Sequence, residues 1–140
     1  MFITRATRHD KADVKELLEE HGWGDSNIDT GTIFMARDGV VVGCVKIVEV
    51  APQTLVVDDM LVREGRRREG IGADLMRAAM NSRGGTMWLC CHEELLSFYE
   101  RFGFALVPES ALPEPVVDYL KSVDDIPAPE GHVHYFMKAR

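Results

Sequence analysis

Apolar positions along this chain recur with two alternating periods, and each change of period marks an element. Phe2-Ile-Thr-Arg-Ala6 reads as a short strand. Thr7-Arg-His-Asp10 then has capping-box spacing, with Asp in place of Glu, ahead of Val14, Leu17 and Leu18 at helical spacing, which predicts a helix from about residue 10 to His21. The next stretch, "GWGDSNIDTG", has no period and is rich in Gly, Asp, Asn and Ser, so it reads as a loop suited to bordering a pocket. "TIFMARDGVVVGCVKIVEV" is two β-rich runs joined by Asp38-Gly39, a two-residue hairpin signal. Ala51-Pro-Gln-Thr54 turns the chain again into "LVVDDMLV", giving three antiparallel strands in series.

The period becomes helical from Gly70, with Ile71, Leu75, Ala78 and Ala79 on one stripe, and the pattern ends at Ser82-Arg-Gly-Gly85. "TMWLCC" follows as a buried strand, "EELLSFYERF" as a short helix closed by Gly103, and "FALV" as a strand. "PEPVVDYLKS" is a helix and "HVHYFMKA" the last strand, with the Pro-rich "VDDIPAPEG" between them as a mobile loop. The order is β-α-β-β-β-α-β-α-β, with an extra helix before the last strand, an α/β pattern.

With 140 residues the chain is long enough for one domain, residues 1–140. The absence of a long apolar run predicts a protein that is soluble, not exported and not associated with a membrane. Cys44, Cys90 and Cys91 have neither disulfide-framework nor C-x-x-C spacing, which fits a reducing cytoplasm. A net charge of −7 repels nucleic acid, yet Arg63, Arg66, Arg67 and Arg68 concentrate positive charge in one loop ahead of Gly70-Ile71-Gly72.

That loop opens directly into the predicted helix. The first amides of a helix have no intrahelical partner and carry the positive end of its dipole, so an arginine loop there is suited to an anion. Gly70 and Gly72 lack the Cβ atoms that would keep phosphate oxygens from the backbone, and Arg67 and Arg68 add charge-assisted donors, an arrangement suited to a pyrophosphate. A P-loop needs Gly-Lys-Ser/Thr where Gly72-Ala73-Asp74 stands, and a dinucleotide fingerprint needs a small residue at Leu75. The competing reading is a solvated surface loop with a glycine turn.

Arg67-x-x-Gly70-x-Gly72, behind the strand "DMLV" and ahead of an amphipathic helix, resembles the Arg/Gln-x-x-Gly-x-Gly/Ala acyl-CoA signature of the GNAT N-acetyltransferase superfamily. "LLSFYERFGF" is similar to that family's A-x-x-F-Y-x-x-x-G-F passage, with Leu95 where Ala is usual. The resemblance covers nearly the whole chain. It implies a mixed, mostly antiparallel sheet of six to seven strands flanked by about four helices, with acetyl-CoA as donor and no metal. Carried onto this sequence, Met60, Leu61 and Val62 pair through backbone with the pantetheine arm. Arg67, Arg68, Glu69, Gly70, Ile71, Gly72 and Ala73 hold the pyrophosphate, and Tyr99 is the general acid that protonates the departing thiolate. Where some members carry a glutamate base, this chain has Leu55-Val56-Val57.

A Lys-like amine, with a pKa of about 10.4, must lose a proton before it attacks a thioester. Asp58 and Asp59 are the nearest acids in sequence, and strand neighbours face opposite ways, so one of them faces a given cleft. Asp58, in the parity of Met60, is the preferred base, with Asp59, His92 and a water chain as alternatives. Tyr99 also reads as a core tyrosine beside Leu95 and Phe102, and each aspartate also reads as a surface or substrate-anchoring carboxylate. Cys90 and Cys91 read as strand filler, and His132 and His134 as a strand pair that lacks a third metal donor and can line an acceptor pocket.

Leu112-Pro113 in "PESALPEPVVDYLKS" resembles the segment after Gly-Phe in the amino-acid, N-acetylglutamate-synthase-like group, which implies a small-molecule amine or amino-acid acceptor. Rival readings are a catalytically silent acetyl-CoA-binding module and a protein or peptide N-acetyltransferase. A homodimer is the expected assembly, two-fold dimers being the commonest closed form.

Overall fold

The computed structural model describes residues 2–139. Its elements are β1 (Phe2–Arg5), α1 (Lys11–Glu20), β2 (Thr32–Asp38), β3 (Val40–Ala51), β4 (Thr54–Val62), α2 (Ile71–Asn81), β5 (Thr86–Cys91), α3 (Leu96–Glu100), β6 (Ala105–Val107), α4 (Glu114–Ser122) and β7 (Tyr135–Ala139). The strands form one mixed sheet in the order β1-β2-β3-β4-β5-β7-β6. Its registered pairs are antiparallel except β4 with β5, whose parallel pairing is made possible by the crossover through α2. The expected fold class is the one observed.

The chain divides into two compact units. One holds the residues up to Val48 together with Asp58–Arg83, and the other holds Glu49–Val57 and the residues from Gly84 onward.

In the first unit Thr7 and Asp10 form half of the expected box, closing a turn ahead of α1 whose own N-cap, Asp10, makes no side-chain capping bond. The Asp10 carboxylate accepts the Thr7 amide at 2.8 Å and the Thr7 hydroxyl at 3.0 Å, while Thr7 Oγ1 accepts the His9 amide at 3.3 Å. The bond from the Thr7 backbone is the main cause holding the Asp10 carboxyl below its ordinary value. α1 then buries Val14, Leu17 and Leu18 against Ile33, Met35, Val41, Cys44 and Leu61. The hairpin after β2 is tighter than expected. Asp38 pairs with Val40 around Gly39 alone, and the register slips between Ala36 and Arg37, so a bulge in the ladder takes up the odd residue. Gly31, at φ +73, lies so close to β3 that a Cβ would stand 2.5 Å from the Ile47 carbonyl oxygen.

β4 is not a regular strand throughout. Asp59 has φ +51, a left-handed conformation that breaks the alternation of faces, so strand parity does not decide where Asp58 and Asp59 point. The kink is held from below by Lys46, 2% exposed on β3, whose Nζ lies 3.3 Å from Asp59 Oδ2 and donates to the Asn27 carbonyl at 3.0 Å. The Ser26 hydroxyl donates to Asp59 Oδ1 at 3.0 Å. Burial, followed by the neighbouring Asp58 charge, pushes the Asp59 carboxyl up, and Lys46 pulls it back down.

In the second unit β4 pairs with β5 over Thr54–Val56 and Thr86–Trp88. Val56, Trp88, Leu112, Val116, Leu120, Ile126 and Phe136 make its core. The Pro-rich segment expected to be mobile is anchored, because Ile126 is buried and the Asp125 and Ile126 amides bond the Leu120 carbonyl. β7 begins at Tyr135, three residues later than the pattern predicts. β5 ends at Cys91, the partner of Tyr135, so His132 and His134 lie ahead of the strand and not on its face. Among the described residues no helix is long and apolar enough to cross a membrane.

Two outcomes are expected in chemical unfolding. Gly31→Ala loses roughly 1–3 kcal/mol, because the new Cβ meets backbone and the conformation disfavours any side chain. Lys46→Met leaves a buried carboxylate without its counter-charge and loses roughly 3–5 kcal/mol near neutral pH. Asp59 has a folded-state pKa above its unfolded value, so its contribution to stability is full in acid and is lost as pH rises through the folded pKa. The Lys46→Met deficit therefore grows with pH over that window and shrinks in acid, which urea titrations at acidic and neutral pH measure.

Candidate functional site

The basic loop is not one undivided patch. Arg63 is in an ion pair with Glu20 and donates to the Val41 carbonyl at 3.0 Å. Arg66 spans Asp38 at 3.0 Å and Glu69 at 3.0 Å. These two cations are neutralised inside the first unit. Arg67 and Arg68 are exposed and form no ion pair among the described residues; Arg67 Nε donates to the Val62 carbonyl at 3.1 Å, which fixes the guanidinium at the end of β4. The net positive charge of the loop is therefore carried by the two arginines nearest α2.

The backbone turns abruptly there. Arg68 has φ +71 and Gly70 has φ +83, after which α2 starts at Ile71. The first bond of that helix runs from the Asp74 amide to the Gly70 carbonyl at 3.0 Å, so Ile71, Gly72 and Ala73 bring amides to the helix start without an intrahelical acceptor. No side chain caps this end. A left-handed residue followed by unpaired amides, with Arg67 and Arg68 beside it, is an anion cradle of the kind a diphosphate fits. Ile71 and Ala73 point into the core and anchor the turn, while Gly70 and Glu69 are exposed.

The strand leading into this loop holds Met60 and Val62 half-buried and Leu61 buried. The two acids before it differ in their surroundings. Asp59 is engaged with Lys46 and Ser26, whereas Asp58 accepts the Asp59 amide at 2.9 Å. Nothing in the sequence signals Lys46 as a buried cation, since a lone lysine in a strand reads as solvated; its spacing of two from Cys44, itself buried, is the one available hint.

Within the second unit, Tyr99 on α3 is 5% exposed and stacks edge-on against Phe98 at 5.1 Å and Phe104 at 5.8 Å. Its ring is thus clamped by the two phenylalanines of its own motif, and Gly103 at φ +89 turns the chain that delivers Phe104. Burial pushes the Cys91 thiol up to about 11, and in the first unit burial pushes Cys44 up to about 12, so both are un-ionised near neutral pH. His92, just past β5, lies with its ring centre 5.0 Å from that of His134 and 5.4 Å from that of His132. The pair His132 and His134 has no third donor in the sequence pattern, and the fold adds Cys90 and Asp125 beside His134.

Solved structures of the same fold were found at low identity. An aminoglycoside 6'-N-acetyltransferase complexed with coenzyme A matches with a TM-score of 0.73 at 16% identity over 99% of this chain and 96% of that one. N-acetylglutamate synthase from Neisseria gonorrhoeae, complexed with coenzyme A and N-acetyl-glutamate, matches with a TM-score of 0.72 at 18% identity, over 100% of this chain and 35% of that one. Rv2747 from Mycobacterium tuberculosis, in complex with CoA and NLQ, matches with a TM-score of 0.71 at 15% identity over 99% of this chain and 98% of that one. No curated protein matches the chain. A family model, the acetyltransferase (GNAT) domain, matches residues 29–106, more than half of the sequence and including the arginine-glycine turn and the Tyr99 motif. The chain belongs to the GNAT family and is an acetyltransferase of that family.

Proposed function

We propose that this enzyme moves the acetyl group of acetyl-CoA to the primary amine of a small molecule or amino acid by direct attack. The observation that carries this reading is the start of α2. Left-handed Gly70 delivers the amides of Ile71, Gly72 and Ala73 to one spot, beside the two arginines that lack carboxylate partners among the described residues. In the proposed complex the diphosphate of CoA takes those amides, with Arg67 and Arg68 supplying charge-assisted contacts and Glu69 holding Arg66 away. The backbone of Met60, Leu61 and Val62 carries the pantetheine arm, which aligns the thioester with the strand that bears Asp58.

Asp58 is the proposed base. Asp59 is committed to Lys46 and Ser26, and its charge is already balanced, which favours its neighbour for removing the ammonium proton. The neutral amine adds to the thioester carbonyl, the C–S bond breaks, Tyr99 gives its phenolic proton to the departing thiolate, and the proton shed by the new amide nitrogen restores the phenol through solvent. A tyrosine hydroxyl is a hydrogen-bond donor from which a departing thiolate can take a proton. The acceptor class draws support from the net charge of −7, which favours cationic amines over nucleic acid, and from the shared fold with an aminoglycoside acetyltransferase and an N-acetylglutamate synthase.

Thiol release from acetyl-CoA across a panel of amino acids, polyamines, aminoglycosides and peptides tests the reading. Turnover with small amines supports it, turnover with peptides alone contradicts the acceptor class, and tight CoA binding without any turnover points to a silent binding module. Gly72→Glu, which sets a carboxylate at the helix start, is expected to abolish CoA-induced thermal stabilisation. Tyr99→Phe is expected to keep that stabilisation and lower kcat by roughly 10²-fold or more. An unchanged kcat in Tyr99→Phe removes the proton-donor role.

A further inference from the structure

Cys90, Asp125 and His134 have no part in the chemistry above, yet their donor atoms (a thiol sulfur, a carboxylate oxygen and a ring nitrogen) all lie within 4.8 Å of one another. We propose that these three residues, completed by His92, form a zinc-type metal site that staples the segment Asp125–His134 onto the end of β5.

The sheet builds most of the site in advance. Cys90 pairs with Phe136 and Cys91 with Tyr135 across β5 and β7. Continuing that register by one step past the strand ends sets His92 opposite His134, and the two-residue spacing returns Cys90 to the same face as His92. Asp125 arrives from the end of α4, where its amide is tied to the Leu120 carbonyl at 2.8 Å. The end of β5 and the segment from Asp125 to His134 therefore bring three donor residues to one place, with the His92 ring beside that of His134.

Geometry and donor chemistry agree. His134 Nδ1 lies 2.8 Å from the Asp125 carbonyl oxygen. A carbonyl only accepts, so Nδ1 carries the hydrogen and Nε2 holds the lone pair; a ring N–H bonded to a backbone carbonyl is the usual outer support of a metal-ligating histidine. Two imidazoles on one tetrahedral metal place their ring centres about 5 Å apart, and those of His92 and His134 are 5.0 Å apart. Tetrahedral zinc at its usual bond lengths sets donor atoms roughly 3.3–3.7 Å from one another, which rotations of half-buried side chains reach from the observed spacing. One sulfur, two imidazoles and one carboxylate are a set that zinc and its late-transition neighbours accept and that magnesium and calcium, which favour oxygen, do not. On binding, the S–H bond of Cys90 breaks, the sulfur–metal bond forms and the proton leaves to solvent. His132 is exposed, with its ring centre 5.4 Å from that of His92, and is not needed as a ligand.

The test is a titration of the metal-free full-length enzyme with cobalt(II) and then zinc(II). One cobalt per chain is expected, with visible bands of a tetrahedral ion and a thiolate-to-cobalt charge-transfer band in the near ultraviolet, all erased by an equivalent of zinc. Zinc is also expected to raise Tm, since it binds only the folded segment. Cys90→Ser removes the charge-transfer band, His134→Gln weakens zinc roughly tenfold or more, and Cys44→Ser, in the other unit, leaves the spectrum unchanged. A wild-type spectrum of weak octahedral bands without charge transfer overturns the proposal however the variants fold. So does a charge-transfer band that survives in Cys90→Ser.

Discussion

The constraint on which the rest of the proposed site depends is a backbone one, the left-handed turn at Arg68 and Gly70 that starts α2 without a capping side chain. A Ser or Asp cap would spend one of the free amides internally, whereas a bare glycine start leaves them for a ligand. The ion pairs of the loop serve the same end. Glu20, Asp38 and Glu69 absorb Arg63 and Arg66, which keeps the loop folded down and leaves a compact charge of two arginines at the helix mouth of an otherwise acidic protein. That difference between local and global charge draws a diphosphate to one spot while repelling longer polyanions.

The second constraint is the buried pair of Lys46 and Asp59. A strand residue at φ +51 is costly for a side chain, and here its carboxylate is held by an ammonium that is almost wholly removed from water. The kink sits between the regular half of β4, which pairs with β5, and the half that leads to the arginine loop. A charge pair is a weak means of gaining stability and an effective means of fixing one conformation, because moving either partner strands the other.

Local signals in the sequence carried the elements well. Asp38-Gly39, the Thr7–Asp10 spacing, and the stripe from Ile71 to Ala79 depend on near neighbours, and each appears where the pattern sets it. The fold class followed from their order. Legibility ends where partners come from far along the chain. Glu20 and Asp38 decide which arginines stay unpaired, Lys46 decides the state of Asp59, and the gathering of Cys90, Asp125 and His134 needs the β5–β7 register, which no local pattern encodes. The parity argument for Asp58 and Asp59 failed for a related reason, since it assumed a regular strand and tertiary pairing made an irregular one.

The most direct measurement is amide NMR of the protein titrated with CoA and, separately, with pantetheine, which lacks the diphosphate. The account predicts large shifts at the amides of Ile71, Gly72 and Ala73 with CoA and small ones with pantetheine. Equal shifts with both, or CoA shifts that leave those three amides unmoved, contradict it.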